Sequence, residues 1–171
     1  HVYVYENPHI RAGLTWEGVK WAFSAAWWSP SPNTDYWQPV TWLSRMFDIQ
    51  CFGLNPSMHH LMNLAFHVLN TLLLFHVLQR MTGSMEKSAW VAAFFAVHPL
   101  HVESVAWVTE RKDVLSGMFW MLSLWAYVRY AACAGDGVTW GALQWRRFGG
   151  VVLFYCLGLM TKPMVITLPF V

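Results

Sequence analysis

Charge is scarce in this sequence: Lys, Arg, Asp and Glu together make up 12% of the 171 residues, against roughly a quarter in an ordinary soluble domain. Hydrophobic residues reach 56% and mean hydropathy is +0.34, so lipid is the expected solvent and a freely soluble globule is excluded. Cysteine is scarce too. Cys51, Cys133 and Cys156 form no CxxC and no metal-ligand spacing, which excludes a disulfide scaffold and a cysteine-held metal. The net charge is only +2 and no basic stripe with interleaved aromatics is present, so nucleic acid is not an expected partner. Internal repeats and low-complexity tracts are lacking as well. The chain opens on His1-Val2-Tyr3 without Met or a signal peptide and stops inside an apolar run at Phe170-Val171, the expectation for a piece of a longer protein.

What is present is apolar sequence in long runs. Leu61 to Leu78, Ala89 to Val108, Val114 to Tyr130 and Phe148 to Val171 each approach the roughly 17 to 25 residues that a spanning helix needs. The expected fold is all-α, a polytopic membrane helix bundle over 59–171 with spans at about 59–79, 89–108, 114–130 and 148–171. Residues 1–58 hold no such run but carry Trp16, Trp21, Trp27, Trp28, Trp37 and Trp42, the side chain that favours the headgroup layer. Two amphipathic interfacial helices are expected there. One is capped by Thr15 and runs to about Trp27; the other runs from Trp37 to Phe47, after the breaker cluster Ser29-Pro30-Ser31-Pro32-Asn33. Packing against another domain would produce a similar pattern.

Basic residues orient the spans. Arg80 and Lys87 follow the first span, and Arg129, Arg146 and Arg147 follow the third, so the positive-inside rule places both connections on the cytoplasmic side. Residues 1–58 and the hairpin Thr109 to Asp113 then share the outer face, periplasmic or luminal.

Against this background the polar residues inside the spans stand out. His60, Asn63, His67 and Asn70 fall within about 80° of arc on a helix. They either hold helices together by hydrogen bonds or line a wet cavity, and the first is the more ordinary role. In His98-Pro99-Leu100-His101-Val102-Glu103 the proline removes a backbone donor and bends the helix. The two histidines share a face, but Glu103 points about 140° away from His98 in a straight helix, so hydrogen bonding or substrate contact is expected ahead of a metal. Glu110-Arg111-Lys112-Asp113 puts two cations on the outer side, against the topological bias. Either they meet an anion, or the acids neutralise them in a salt-bridged turn. Lys162 stands deep in the last run, followed by Pro163, where a bent helix and a buried anion or wet cavity explain an ammonium best.

These residues also carry a resemblance. The runs His98-Pro99-Leu100-His101-Val102-Glu103-Ser104-Val105-Ala106-Trp107, Glu110-Arg111-Lys112-Asp113-Val114-Leu115-Ser116 and Lys162-Pro163-Met164 with Thr167-Leu168-Pro169 resemble the transmembrane and tetratricopeptide-repeat proteins, including bacterial relatives. So do Trp37-Gln38-Pro39, Phe52-Gly53-Leu54-Asn55-Pro56 and His60-Leu61-Met62-Asn63, in order along nearly the whole chain. The resemblance implies a GT-C-like membrane glycosyltransferase that passes a sugar from a polyprenyl phosphate to a hydroxyl of a protein or other acceptor on the outer face. In the animal members the sugar is mannose and the acceptor a protein Ser or Thr. It further implies a multi-pass protein of the bacterial inner membrane, with the endoplasmic reticulum membrane as the alternative. A catalytic acidic pair is implied upstream of His1, and a first span, later spans and tetratricopeptide repeats are implied outside the sequence.

On this resemblance Arg111, Lys112 and Lys162 are expected on the donor phosphate. Glu110 and Asp113 hold those cations, or one of them approaches the sugar. His98, His101 and Glu103 stand near the pocket. No cofactor is certain on this resemblance, and a divalent cation stays open. A noncatalytic scaffold for repeats and a transporter of lipid-linked sugars are the competing classes.

Overall fold

The computed structural model describes residues 7–28, 37–134 and 141–170, without the side chains of 25–28, 133, 134, 142 and 143. The breaker cluster at 29–33, the side chains of Trp27 and Trp28 and that of Cys133 lie outside the described residues. Among the described residues the chain is all-helical, with no strand.

The N-terminal segment contains α1 (Pro8–Arg11), α2 (Trp16–Trp28) and α3 (Pro39–Phe52). Thr15 caps α2, its Oγ1 accepting from the Gly18 N–H at 3.1 Å, which satisfies one of the donors a helix start leaves free. Pro39 opens α3, where a missing N–H costs nothing. The three helices close around Ile10, Ala22, Trp42, Met46 and Ile49. Trp21 bridges His9 and Trp42, with ring centroids 4.9 and 4.8 Å away. Part of the tryptophan set therefore packs inward, whereas Trp16 is 71% exposed. The helices were expected to be interfacial because of their aromatics; the structure shows them as a small packed unit.

The longest helix is α4 (Pro56–Thr82), roughly 40 Å at 1.5 Å per residue. Asn55 caps it by accepting from the Ser57 N–H at 3.1 Å, and Gly83 closes it in the left-handed conformation at φ 68°. Among the described residues α4 alone is long and apolar enough to cross a membrane by itself. The stretch expected as one span over 89–108 is broken: α5 (Met85–Val97) ends, residues 98–100 turn, and α6 (His101–Ala106) and a 3₁₀ turn (Val108–Glu110) follow. The cause is local. His98 precedes Pro99 and is driven to an extended ψ of 128°, and its Nδ1 accepts from the Leu100 N–H at 3.2 Å.

The third run begins earlier than its apolar residues suggest, as α7 (Arg111–Ala134), so the expected charged hairpin is a 3₁₀ turn leading into a helix. The fourth run divides into α8 (Ala142–Leu159) and a 3₁₀ segment (Pro163–Phe170), with the break at Lys162-Pro163. The bend expected there is present. At Gly158 an added Cβ would meet Val165 Cγ1 at 3.0 Å and Phe119 Cβ at 3.4 Å, so glycine lets α8, α7 and the 3₁₀ segment converge. Helix α7 packs between α4 and α8, and α5 packs on α4.

Candidate functional site

The polar face of α4 organises the site. Asn63, His67 and Asn70 are buried as their spacing suggests, but His59 is buried with them while His60 is exposed. The buried arc is centred on Asn63, which leaves His60 at its edge. Asn63, His67 and Asn70 each meet a neighbouring backbone carbonyl. The Asn63 amide donates to Trp107 O at 3.2 Å, the His67 ring lies 3.1 Å from Ala96 O, and the Asn70 amide donates to Val114 O at 2.8 Å. These bonds tie α4 to the end of α5, to the turn before α7 and to the first turn of α7, the helix-joining role described above.

Arg111 lies beside that face and is not open to solvent. Its Nη2 is 2.6 Å from Asp48 Oδ2, both side chains being 1% exposed. Nη1 donates to Ser44 Oγ at 3.0 Å, Nη2 to His59 O at 3.2 Å, and Nε to Asn63 Oδ1. Phe66 lies under the guanidinium, 5.4 Å from its centroid. A buried charge is tolerated only when paired and fully bonded, and the planar fork of arginine meets acceptors from α3 and α4 at once. The same seam contains Arg45 Nη2 donating to Thr109 O at 2.6 Å and the Val40 N–H donating to Met160 O at 3.4 Å. Arg111 thus fastens the N-terminal segment to the helices that follow.

Two residues further on, Asp113 faces a different environment. Its Oδ1 is 2.6 Å from Lys162 Nζ, and both side chains are 28% exposed. This pair lies in the wall of a cavity of about 330 Å³ between α4, α6, α7 and the 3₁₀ segment. His67, His101, Ser104, Ser116 and Trp120 line it too. The His101 ring packs on Phe95 at 4.3 Å between centroids and has no hydrogen-bond partner among the described residues. The cavity combines a cation, a carboxylate, two imidazoles, hydroxyls and a broad aromatic wall. Such a set suits a polar ligand with an anionic group.

The expected site residues therefore divide. Lys162, Asp113 and His101 share the cavity; Arg111 is next to it but wholly engaged. Lys112 pairs with Glu110 at 3.4 Å, the local salt-bridged alternative, and neither lines the cavity. His98 lies 5.9 Å from His101 between ring centroids, on a neighbouring cleft, and Glu103 is exposed. Among the described residues no three His, Cys, Asp or Glu side chains group closely enough to hold a metal ion.

The chain is 32% identical over 141 residues to protein O-mannosyl-transferase TMTC1 of Mus musculus, a match covering 78% of this chain and 15% of that protein. The human TMTC1 is 31% identical over 132 residues, covering 74% of this chain and 15% of the relative. Drosophila melanogaster Tmtc2 is 29% identical over 167 residues, covering 94% and 17%. The chain belongs to the TMTC family. It spans about 15% of the length of these TMTC relatives. No family model matches the chain, and no solved structure does.

Within this TMTC segment, sequence reasoning missed Asp48 and His59 as partners of Arg111, and Ser104, Ser116 and Trp120 as cavity walls. One signal for Asp48 was available: a carboxylate on a largely apolar helix, in a chain with only nine acidic residues, demands a partner.

Proposed function

We propose that this chain is part of the membrane domain of a glycosyltransferase that moves a hexose, mannose by analogy with the named relatives, from a polyprenyl phosphate to a protein Ser or Thr hydroxyl. The observation that carries this reading is the Lys162–Asp113 pair in the cavity wall. An ammonium has three donors. With one directed at Asp113, Lys162 keeps the others for the departing phosphate, in a setting where charge-assisted bonds are stronger than in water.

In the transfer the acceptor oxygen bonds to the anomeric carbon as the bond from that carbon to the phosphate oxygen breaks. The electron pair leaves on the phosphate, and the hydroxyl proton passes to a carboxylate. That carboxylate belongs to the acidic pair that the family resemblance implies upstream. Asp113 orients Lys162, His101 meets the donor's polar groups, and Trp120 covers one side of the sugar. Arg111 acts indirectly in this reading: it fixes the start of α7, from which Asp113 projects.

The reading also makes the chain multi-pass, with α4, the broken α5–α6 unit, α7, and α8 with its 3₁₀ tail crossing the bilayer and the cavity opening on the outer side. Support comes from outward apolar side chains such as Trp90 at 68% and Phe94 at 66% exposure, which water would not favour but lipid would. The decisive experiment compares Lys162→Met with Lys162→Arg in the complete protein, using a labelled polyprenyl-phosphate mannose. Removing the cation is expected to lower transfer by about a hundredfold or more, and arginine is expected to retain part of it. Full turnover in correctly folded Lys162→Met protein overturns the phosphate assignment.

A further inference from the structure

A second cleft, of about 380 Å³, opens between α7 and α8. It lies some sixteen residues along α7 from Asp113, roughly 24 Å away by helical rise. Trp125 and Arg129 of α7 face Arg146, Arg147, Gly150 and Phe154 of α8 across it. Three arginines thus line one hollow, and among the described residues no carboxylate does. The Arg129 guanidinium is 4.6 Å from the Trp125 ring centroid, and Arg147 Nη1 donates to the Arg129 carbonyl at 3.0 Å. These contacts hold Arg129 and Arg147 in place. Among the described residues neither Arg129 nor Arg146 has a carboxylate partner. A Cβ built on Gly150 meets nothing within 4 Å, so the floor of the cleft is open.

Like charges gathered around a hollow raise its potential until an anion enters. The apolar walls, Trp125 and Phe154, narrow the class of anion to one joined to a hydrocarbon body. Exposed Tyr127, Trp145 and Phe148 surround the same end, the side-chain type that settles at headgroup depth. We infer that this cleft binds the phosphate of an anionic phospholipid from the leaflet that the basic connections mark as cytoplasmic. The inference rests on the membrane crossing of α7 and α8 in the proposed function, but not on sugar transfer. Basic clefts between helices at that leaflet are a known chemistry for acidic headgroups.

The test titrates the delipidated complete protein with phosphatidylglycerol, phosphatidylcholine or inorganic phosphate and counts bound molecules by native mass spectrometry. Wild type is expected to hold one phosphatidylglycerol about tenfold or more tighter than phosphatidylcholine. The pair Arg129→Gln/Arg146→Gln removes that preference. Gly150→Leu is expected to do the same while keeping every charge, and leucine suits a helix better than glycine, so folding is spared. Arg146→Lys retains binding. Displacement of the lipid by excess inorganic phosphate would assign the cleft to a soluble phosphate; resistance to it assigns the lipid. Phosphatidylglycerol binding in both cleft variants equal to wild type overturns the inference. Sugar transfer read on the same samples separates the two proposals, because loss of lipid with transfer retained leaves the cavity assignment standing.

Discussion

Arg111 and Asp113 stand two residues apart at the start of one helix, and each forms an ion pair with an N···O distance of 2.6 Å. The Arg111–Asp48 pair is 1% exposed and surrounded by further acceptors, whereas the Asp113–Lys162 pair is 28% exposed and faces a cavity. Equal distances therefore conceal unequal roles. In the buried pair neither partner can leave without stranding the other in a medium that cannot solvate it. In the half-exposed pair water can replace either partner, so Lys162 can share its donors with a ligand at little cost to the fold.

The widest separation between the two pairs is expected from two chemically identical substitutions. Asp48→Asn leaves Arg111 buried without a counter-charge and is expected to destabilise the complete protein by about 3–5 kcal/mol, read as a lowered thermal midpoint and loss of soluble, monodisperse protein in detergent. An unchanged midpoint would place Asp48 with the dispensable pairs.

A smaller effect is expected at the packing between the pairs. In Gly117→Ala the new methyl would lie 3.1 Å from Asn70 Nδ2, pressing on the amide that donates to Val114 O at 2.8 Å. The expected loss is about 1–2 kcal/mol, with transfer affected less than stability. A variant as stable as wild type would show that Asn70 can move aside.

The smallest stability effect is expected for Asp113→Asn, within about 1 kcal/mol of wild type because the pair is partly solvated. Its transfer rate should nonetheless fall, with the loss carried by donor binding if Asp113 only orients Lys162. If Asp113→Asn unfolds the protein as Asp48→Asn does, the division between the two pairs collapses.

Much of the local structure was legible beforehand. The Thr15 cap, the long apolar helix α4, the polar stripe on it and the bend at Lys162-Pro163 all follow from short-range chemistry that a linear sequence displays. The charged cluster at 110–113 was legible only as a choice, because a sequence shows that acids and bases are near one another but not which pairs form. The structure divides it: Lys112 takes the local partner Glu110, while Arg111 and Lys162 take the distant ones, 63 positions from Asp48 and 49 from Asp113. The 89–108 run misled for a related reason. Its apolar residues suit one span, but Pro99 and the acceptor side chain of His98 offer the backbone a turn that hydropathy cannot register.

Sequence by itself determined the helical character, the scarcity of charge that points to lipid and the residues that carry the TMTC likeness, since all three depend on composition, spacing and order. Only the tertiary structure decided which cations are buried and which remain within reach of a ligand. Burial is set by what other segments bring to a residue: α3 delivers Asp48 and Ser44 to Arg111, whereas the break after α8 leaves Lys162 beside an open cavity. Desolvation then turns the first pair into a fastening and leaves the second available for chemistry.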